Sequence, residues 1–89
     1  MTIRLSSGKT LEINYIWPDN GGRVMVELKD DRPISEIAAD FEGSQTLTKT
    51  DAKKPGVEEV YTGYTQIVSV SRDNYEGVTR LFLKKGDAA

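Results

Sequence analysis

Hydrophobic and polar residues alternate along most of this chain, and the period of that alternation changes once. Ile3 and Leu5 alternate with Arg4 and Ser6, and Leu11, Ile13, Tyr15 and Trp17 share one parity with Glu12 and Asn14 between them. A period of two places such residues on one face of a strand. Trp17 is therefore expected in the core with its parity mates. The interruption at Ser6–Lys9 predicts a hairpin between these two segments. Pro18 ends the second strand, and Asp19-Asn20-Gly21-Gly22 offers residues that tolerate positive φ, hence a turn. Val24, Val26 and Leu28 then resume the alternation, with Met25 and Glu27 on the other side. Residues 2–28 read as a three-stranded antiparallel meander.

The period next lengthens. Ile34, Ile37, Ala38 and Phe41 stand at i, i+3, i+4 and i+7, one apolar stripe on a short helix over about 33–42. Asp31 or Ser35 suits its N-cap, Pro33 its first turn and Gly43 its C-cap. Its polar side is strained electrostatically. Glu36 and Asp40 are like charges one turn apart, and Asp40 and Glu42 lie at the negative end of the helix dipole, each costing roughly 0.2–1 kcal/mol. A helix this short must be held by packing of its stripe.

Beyond it the strand pattern returns. Thr46–Thr50 is β-branched, Asp51–Gly56 is a polar loop with a Pro-Gly pair, and residues 57–70 favour a long strand bent or bulged at Gly63. Arg72–Gly77 is a turn and Val78–Lys84 the last strand. The expected architecture is α+β: a mostly antiparallel sheet or partly open barrel of five to six strands with one short helix. Residues 1–84 form a single β-rich domain, and 85–89 a frayed tail.

Composition narrows the chemistry. Within 89 residues there is no cysteine and no histidine, so no disulfide, no thiolate nucleophile, no imidazole base and no common transition-metal ligand set is at hand. Twelve basic residues against fourteen acidic ones leave a net charge of −2, which argues against nucleic acid as a partner. The longest apolar runs, such as Leu81-Phe82-Leu83, are far short of the ~20 residues a spanning helix needs. A soluble protein without a membrane partner is expected.

The local strings with functional overtones have plainer readings. Gly8-Lys9-Thr10 matches the end of a phosphate-binding loop, but Ile3 stands where that motif requires glycine and a strand follows where it requires a helix. Asp73, Asn74 and Glu76 lack most of a calcium loop and read as turn chemistry. Glu58 and Glu59 are strand neighbours, so they point to opposite faces and cannot flank one substrate. Tyr61-Thr62-Gly63-Tyr64-Thr65 is the most distinctive string, an aromatic surface or simply good strand formers around a bend. No catalytic, cofactor-binding or metal-ligating residue is assigned.

The order of these segments resembles that of small uncharacterised proteins encoded among the tail and baseplate genes of Firmicutes prophages. The resemblance rests on the pair Ile3-Arg4-Leu5 and Leu11-Glu12-Ile13, the helix Ile34–Gly43, the strand Thr46-Leu47-Thr48, the segment Tyr61–Val70 and the closing strand Val78–Leu83. It implies a non-enzymatic structural or assembly role in the host cytoplasm or the virion, exercised through protein–protein contacts. The alternative is a small β-rich binding or adaptor module of a bacterial host system. For contact residues, parity in the last two strands is informative. Val60, Tyr64, Val68 and Val70 oppose Tyr61 and Ile67 in parity, and Val78 and Phe82 oppose Leu81 and Leu83, so both faces of that hairpin are apolar. One short helix covers little of that, which makes Tyr61, Tyr64, Ile67, Leu81 and Phe82 candidates for an interface with phage structural proteins or a second copy.

Overall fold

A computed structural model describes residues 1–19 and 21–86. Its elements run β1 (Thr2–Arg4), β2 (Thr10–Pro18), β3 (Arg23–Leu28), α1 (Ile34–Asp40), β4 (Gln45–Thr50), β5 (Glu58–Asp73) and β6 (Val78–Lys85). They form a closed barrel in the order β1-β2-β3-β6-β5-β4, with β4 pairing back onto β1. The two halves of the chain are thus each a meander, and the barrel is sealed where β3 meets β6 and β1 meets β4, all antiparallel. The expected mostly antiparallel sheet with one short helix is what the chain builds.

The turns form for the reasons legible in their residues. At Ser6–Lys9 the Leu5 and Lys9 backbones bond, and Gly8 takes φ +90°. At the next turn the Asp19 carboxylate accepts the backbone N–H groups of Gly21 and Arg23; Asn20 lies outside the described residues. Asp73 does the same for Tyr75 and Glu76, which is the use the last turn makes of this carboxylate. The bend expected at Gly63 is present, with φ +84°. There β5 changes partner: Glu58–Tyr64 pair with β4, and Tyr64–Asp73 with β6. Register shifts on both sides of Gly63 mark bulges, the device by which a long strand turns a barrel corner.

Inside the barrel, Ile3, Leu5, Leu11, Ile13, Ile16, Val24, Val26, Leu28, Leu47, Leu81 and Leu83 form the core, joined by Tyr64 and by Ile37 and Phe41 of the helical segment. Burial of each such side chain contributes ~1.5–3 kcal/mol. The helix packs against β5. Gln45 secures its C-terminal end: its amide donates to the Glu42 carbonyl at 2.9 Å and its Oε1 accepts the Ser6 N–H, tying the helix to the β1–β2 turn.

Several details depart from expectation. Trp17 is 67% exposed rather than core. The cause is a bulge at Asn14, where the register shifts between Ile13 and Tyr15, so that Ile16 and not Tyr15 follows Ile13 into the interior. Ile34 is 39% exposed, leaving Ile37 and Phe41 as the helix's buried anchors. Pro33 is the N-cap, one position before its expected first-turn place, and no side chain caps the helix, neither Asp31 nor Ser35. Gly43 does turn left-handed, with φ +81°, two residues beyond the C-cap Phe41. Lys85, assigned to the tail, ends β6 with its N–H on the Gly22 carbonyl, and Gly86 donates to the Gly63 carbonyl. The rest of that tail, Asp87–Ala89, lies outside the described residues.

Candidate interaction surface

The bulge that turns Ile16 inward turns Trp17 outward, and the barrel's register then decides what lies beside it. Trp17 pairs with Met25 on β3, Met25 with Phe82 on β6, and Phe82 with Ser69 on β5. On β5 a further bulge leaves Val68 as the extra residue between Ile67 and Ser69, and Val68 is 51% exposed. Val24, Val26, Leu81 and Leu83, the strand neighbours of Met25 and Phe82, are all buried, so Met25 and Phe82 face out and are half-buried. The outcome is one apolar row, Trp17-Met25-Phe82-Val68, crossing four adjacent strands on the outside of the barrel.

Charged rows border it on both sides. Towards one end, Glu27 and Arg80 are cross-strand neighbours. Glu27 is buried among the Asn14 amide at 2.7 Å and the Arg80 guanidinium at 3.1 Å, and Arg80 also reaches Asp73 and Glu76. Burial pushes the Glu27 carboxyl up, but the hydrogen bonds from Asn14 and Tyr15 and the Arg80 charge outweigh that and hold it below the usual range. Towards the other end, Arg23 pairs with Lys84 across the strands. Arg23 is bonded to Asp19 at 3.1 Å, while Lys84 is exposed with no carboxylate in ion-pair reach among the described residues. An apolar centre with a polar rim is the anatomy of a protein contact surface.

The expected interface residues separate in the fold. Tyr64 is 3% exposed and Leu81 is fully buried, so both are corrected to core positions. Tyr61 and Ile67 are half-buried and pack against that core. Tyr61 donates to Glu59 at 2.7 Å, and burial with that carboxylate pushes its hydroxyl up to about 12. Only Phe82 of the five lies in the outer row. Trp17, Met25 and Val68 were not anticipated there. One signal was available: Ile13 and Ile16 are both strong core candidates of opposite parity, so a parity change between them was already required.

Elsewhere, an open hollow of about 560 Å³ lies beside the β4–β5 loop, edged by Thr2, Glu12, Thr50, Asp51, Lys54 and Glu58. Glu59 points away from it to Lys49, as adjacent strand positions require. Among the described residues no three carboxylates converge into a metal-holding group. No helix in them is long and apolar enough to cross a membrane. No protein-family model, curated protein or solved structure matches the chain.

Proposed function

We propose that this chain is a non-enzymatic structural or assembly component, phage- or prophage-derived and associated with the tail or baseplate, and that it works through protein–protein contact. The observation that supports this reading is the outer row of Trp17, Met25, Phe82 and Val68. An exposed tryptophan at the end of an apolar row, rimmed by charge, is costly to leave in water and is the type of residue that dominates binding energy in interfaces. The rest of the reading comes from the likeness in element order to prophage tail-region proteins. The test is affinity purification of the tagged chain from induced lysogenic host cells, with co-purifying proteins identified by mass spectrometry. Tail or baseplate proteins are expected with the native chain and lost with Trp17→Lys. Host proteins alone would favour the adaptor reading. Equal recovery with Trp17→Lys would remove this face from the account.

A further inference from the structure

We infer that residues 31–43, the helix with its connections, swing away from the barrel as one unit while the strands stay paired, and that the charge on Asp40 governs the swing. The topology permits it, because the ladders that close the barrel run between strands and α1 enters none of them. The strand framework is anchored on either side of this unit. Before it, Lys29 donates its N–H to the Glu12 carbonyl at 3.1 Å, and the Asp30 carbonyl accepts the Thr79 hydroxyl at 3.0 Å. After it, Gln45 pairs with Tyr64. Gly43, at φ +81°, stands between the unit and that second anchor, and glycine absorbs backbone rotation more readily than other residues. Segments held by few buried groups open locally ahead of the rest of a fold. Within residues 31–43 the buried side chains are Ile37 and Phe41 alone.

The remaining holds are polar, and several meet at Asp40. Its carboxylate takes Lys9 from the β1–β2 turn at 3.0 Å and Arg32 from the lead-in to the helix at 2.7 Å. Arg32 belongs to the moving unit, so its bond travels with the helix, whereas Lys9 stays with the barrel. Opening therefore strips Asp40 of one cation. It leaves a negative charge at the helix C-terminus one turn from Glu36, where the dipole and the like charge both oppose it. The other charged groups about this contact are Asp30, which clasps Arg32 at 2.7 Å, and Arg72 of β5, which holds the Asp31 and Arg32 carbonyls; Asp31 and Glu42 are exposed. Burial raises the Asp40 carboxyl, but Arg32 and Lys9 outweigh it and lower it in the closed form. The part of closure owed to Asp40 is thus present above its free value near ~4 and lost as pH falls through the closed one. Opening turns Ile37 and Phe41 out of the core and bares the barrel positions they fill. The closed chain withholds that apolar surface, which is distinct from the outer row.

Native-state hydrogen exchange on the whole chain, followed by NMR at low denaturant, is the test. The reporters are the amides of Ile37, Phe41 and Glu42, which bond within the helical segment, set against the ladder amides of β3 and β6. At pH 7 the helical reporters are expected to open about tenfold or more as often as the ladder amides, with a smaller denaturant dependence, the mark of partial opening. Asp40→Asn is expected to raise their opening about tenfold. Lowering the pH to 3 should raise it several-fold in the native chain, after correction for intrinsic exchange rates, and less in Asp40→Asn. Lys9→Gln removes the same contact from the barrel side and serves as the second variant should Asp40→Asn misfold; it is expected to act in the same direction. Helical reporters that exchange only together with the ladder amides overturn the inference, because helix and barrel then open as one. Reporters that open early but respond to neither substitution overturn it as well, since Asp40 then governs nothing.

Discussion

Phe41 sits just past the last turn of the helix, 2% exposed, and packs with Ile37 into the barrel core. Truncation to alanine opens a cavity there, so Phe41→Ala is expected to cost ~3–5 kcal/mol, read by chemical denaturation; a loss under about 1 kcal/mol would contradict the packing. Trp17 makes the opposite case. With two thirds of its surface in water, Trp17→Ala should change the unfolding free energy of the dilute monomer by less than about 0.5 kcal/mol. Gly63 is intermediate. No atom lies within 4 Å of where a Cβ would stand, so Gly63→Ala meets no clash, only the cost of a side chain at φ +84°. A loss of about 1 kcal/mol is expected by the same denaturation measurement, left-handed strain offset in part by a stiffer unfolded chain.

The helix is short and poorly capped, and its like charges predict discomfort that the tertiary structure removes. Asp40 receives Arg32 at 2.7 Å and Lys9 at 3.0 Å, and Arg32 also clasps Asp30 at 2.7 Å. Arg72 reaches over to the backbone carbonyls of Asp31 and Arg32, holding the β3–α1 connection to β5. Hydrogen bonds from Arg32 lower the Asp30 carboxyl; burial raises Asp40, but bonds from Arg32 and Lys9 prevail and lower it too. A carboxyl depressed in the folded state adds stability above its unfolded value near ~4 and loses it as pH falls through the folded value. The thermal midpoint should therefore drop between pH 6 and pH 3, and Asp40→Asn should lower it at pH 6 while flattening that drop. This element was legible in the sequence as a period of 3.6, because its buried stripe is local information. Neither the Lys9–Asp40 ion pair nor the Arg72 hold on the Asp31 and Arg32 carbonyls was, since both basic residues are brought there only by barrel closure. The same holds for the contact face: an alternating pattern reports which residues share a parity, whereas the bulge at Asn14 resets parity to suit Ile16, and Trp17 changes sides with it.

In the whole molecule, a strand of only three residues completes the barrel. Thr2, Ile3 and Arg4 pair with β2 on one side and β4 on the other, and the Thr2 and Thr50 hydroxyls bond at 2.7 Å. Closure of this kind leaves no sheet edge for other chains to pair with. Deleting residues 1–5 would bare two edges and withdraw Ile3 and Leu5 from the core, so the shortened chain is expected to aggregate at concentrations where the full chain stays clear by light scattering. Closure also sets an order of events during synthesis. The first meander has one flank waiting for Thr50 and the other for Thr79, the partner of Leu28. Neither flank is satisfied until most of the chain has left the ribosome. Pairings so distant in sequence put refolding in the slow range, milliseconds to seconds for barrels of this size. The hazard for this protein lies in its birth, when a half-made chain offers two open strands to its neighbours.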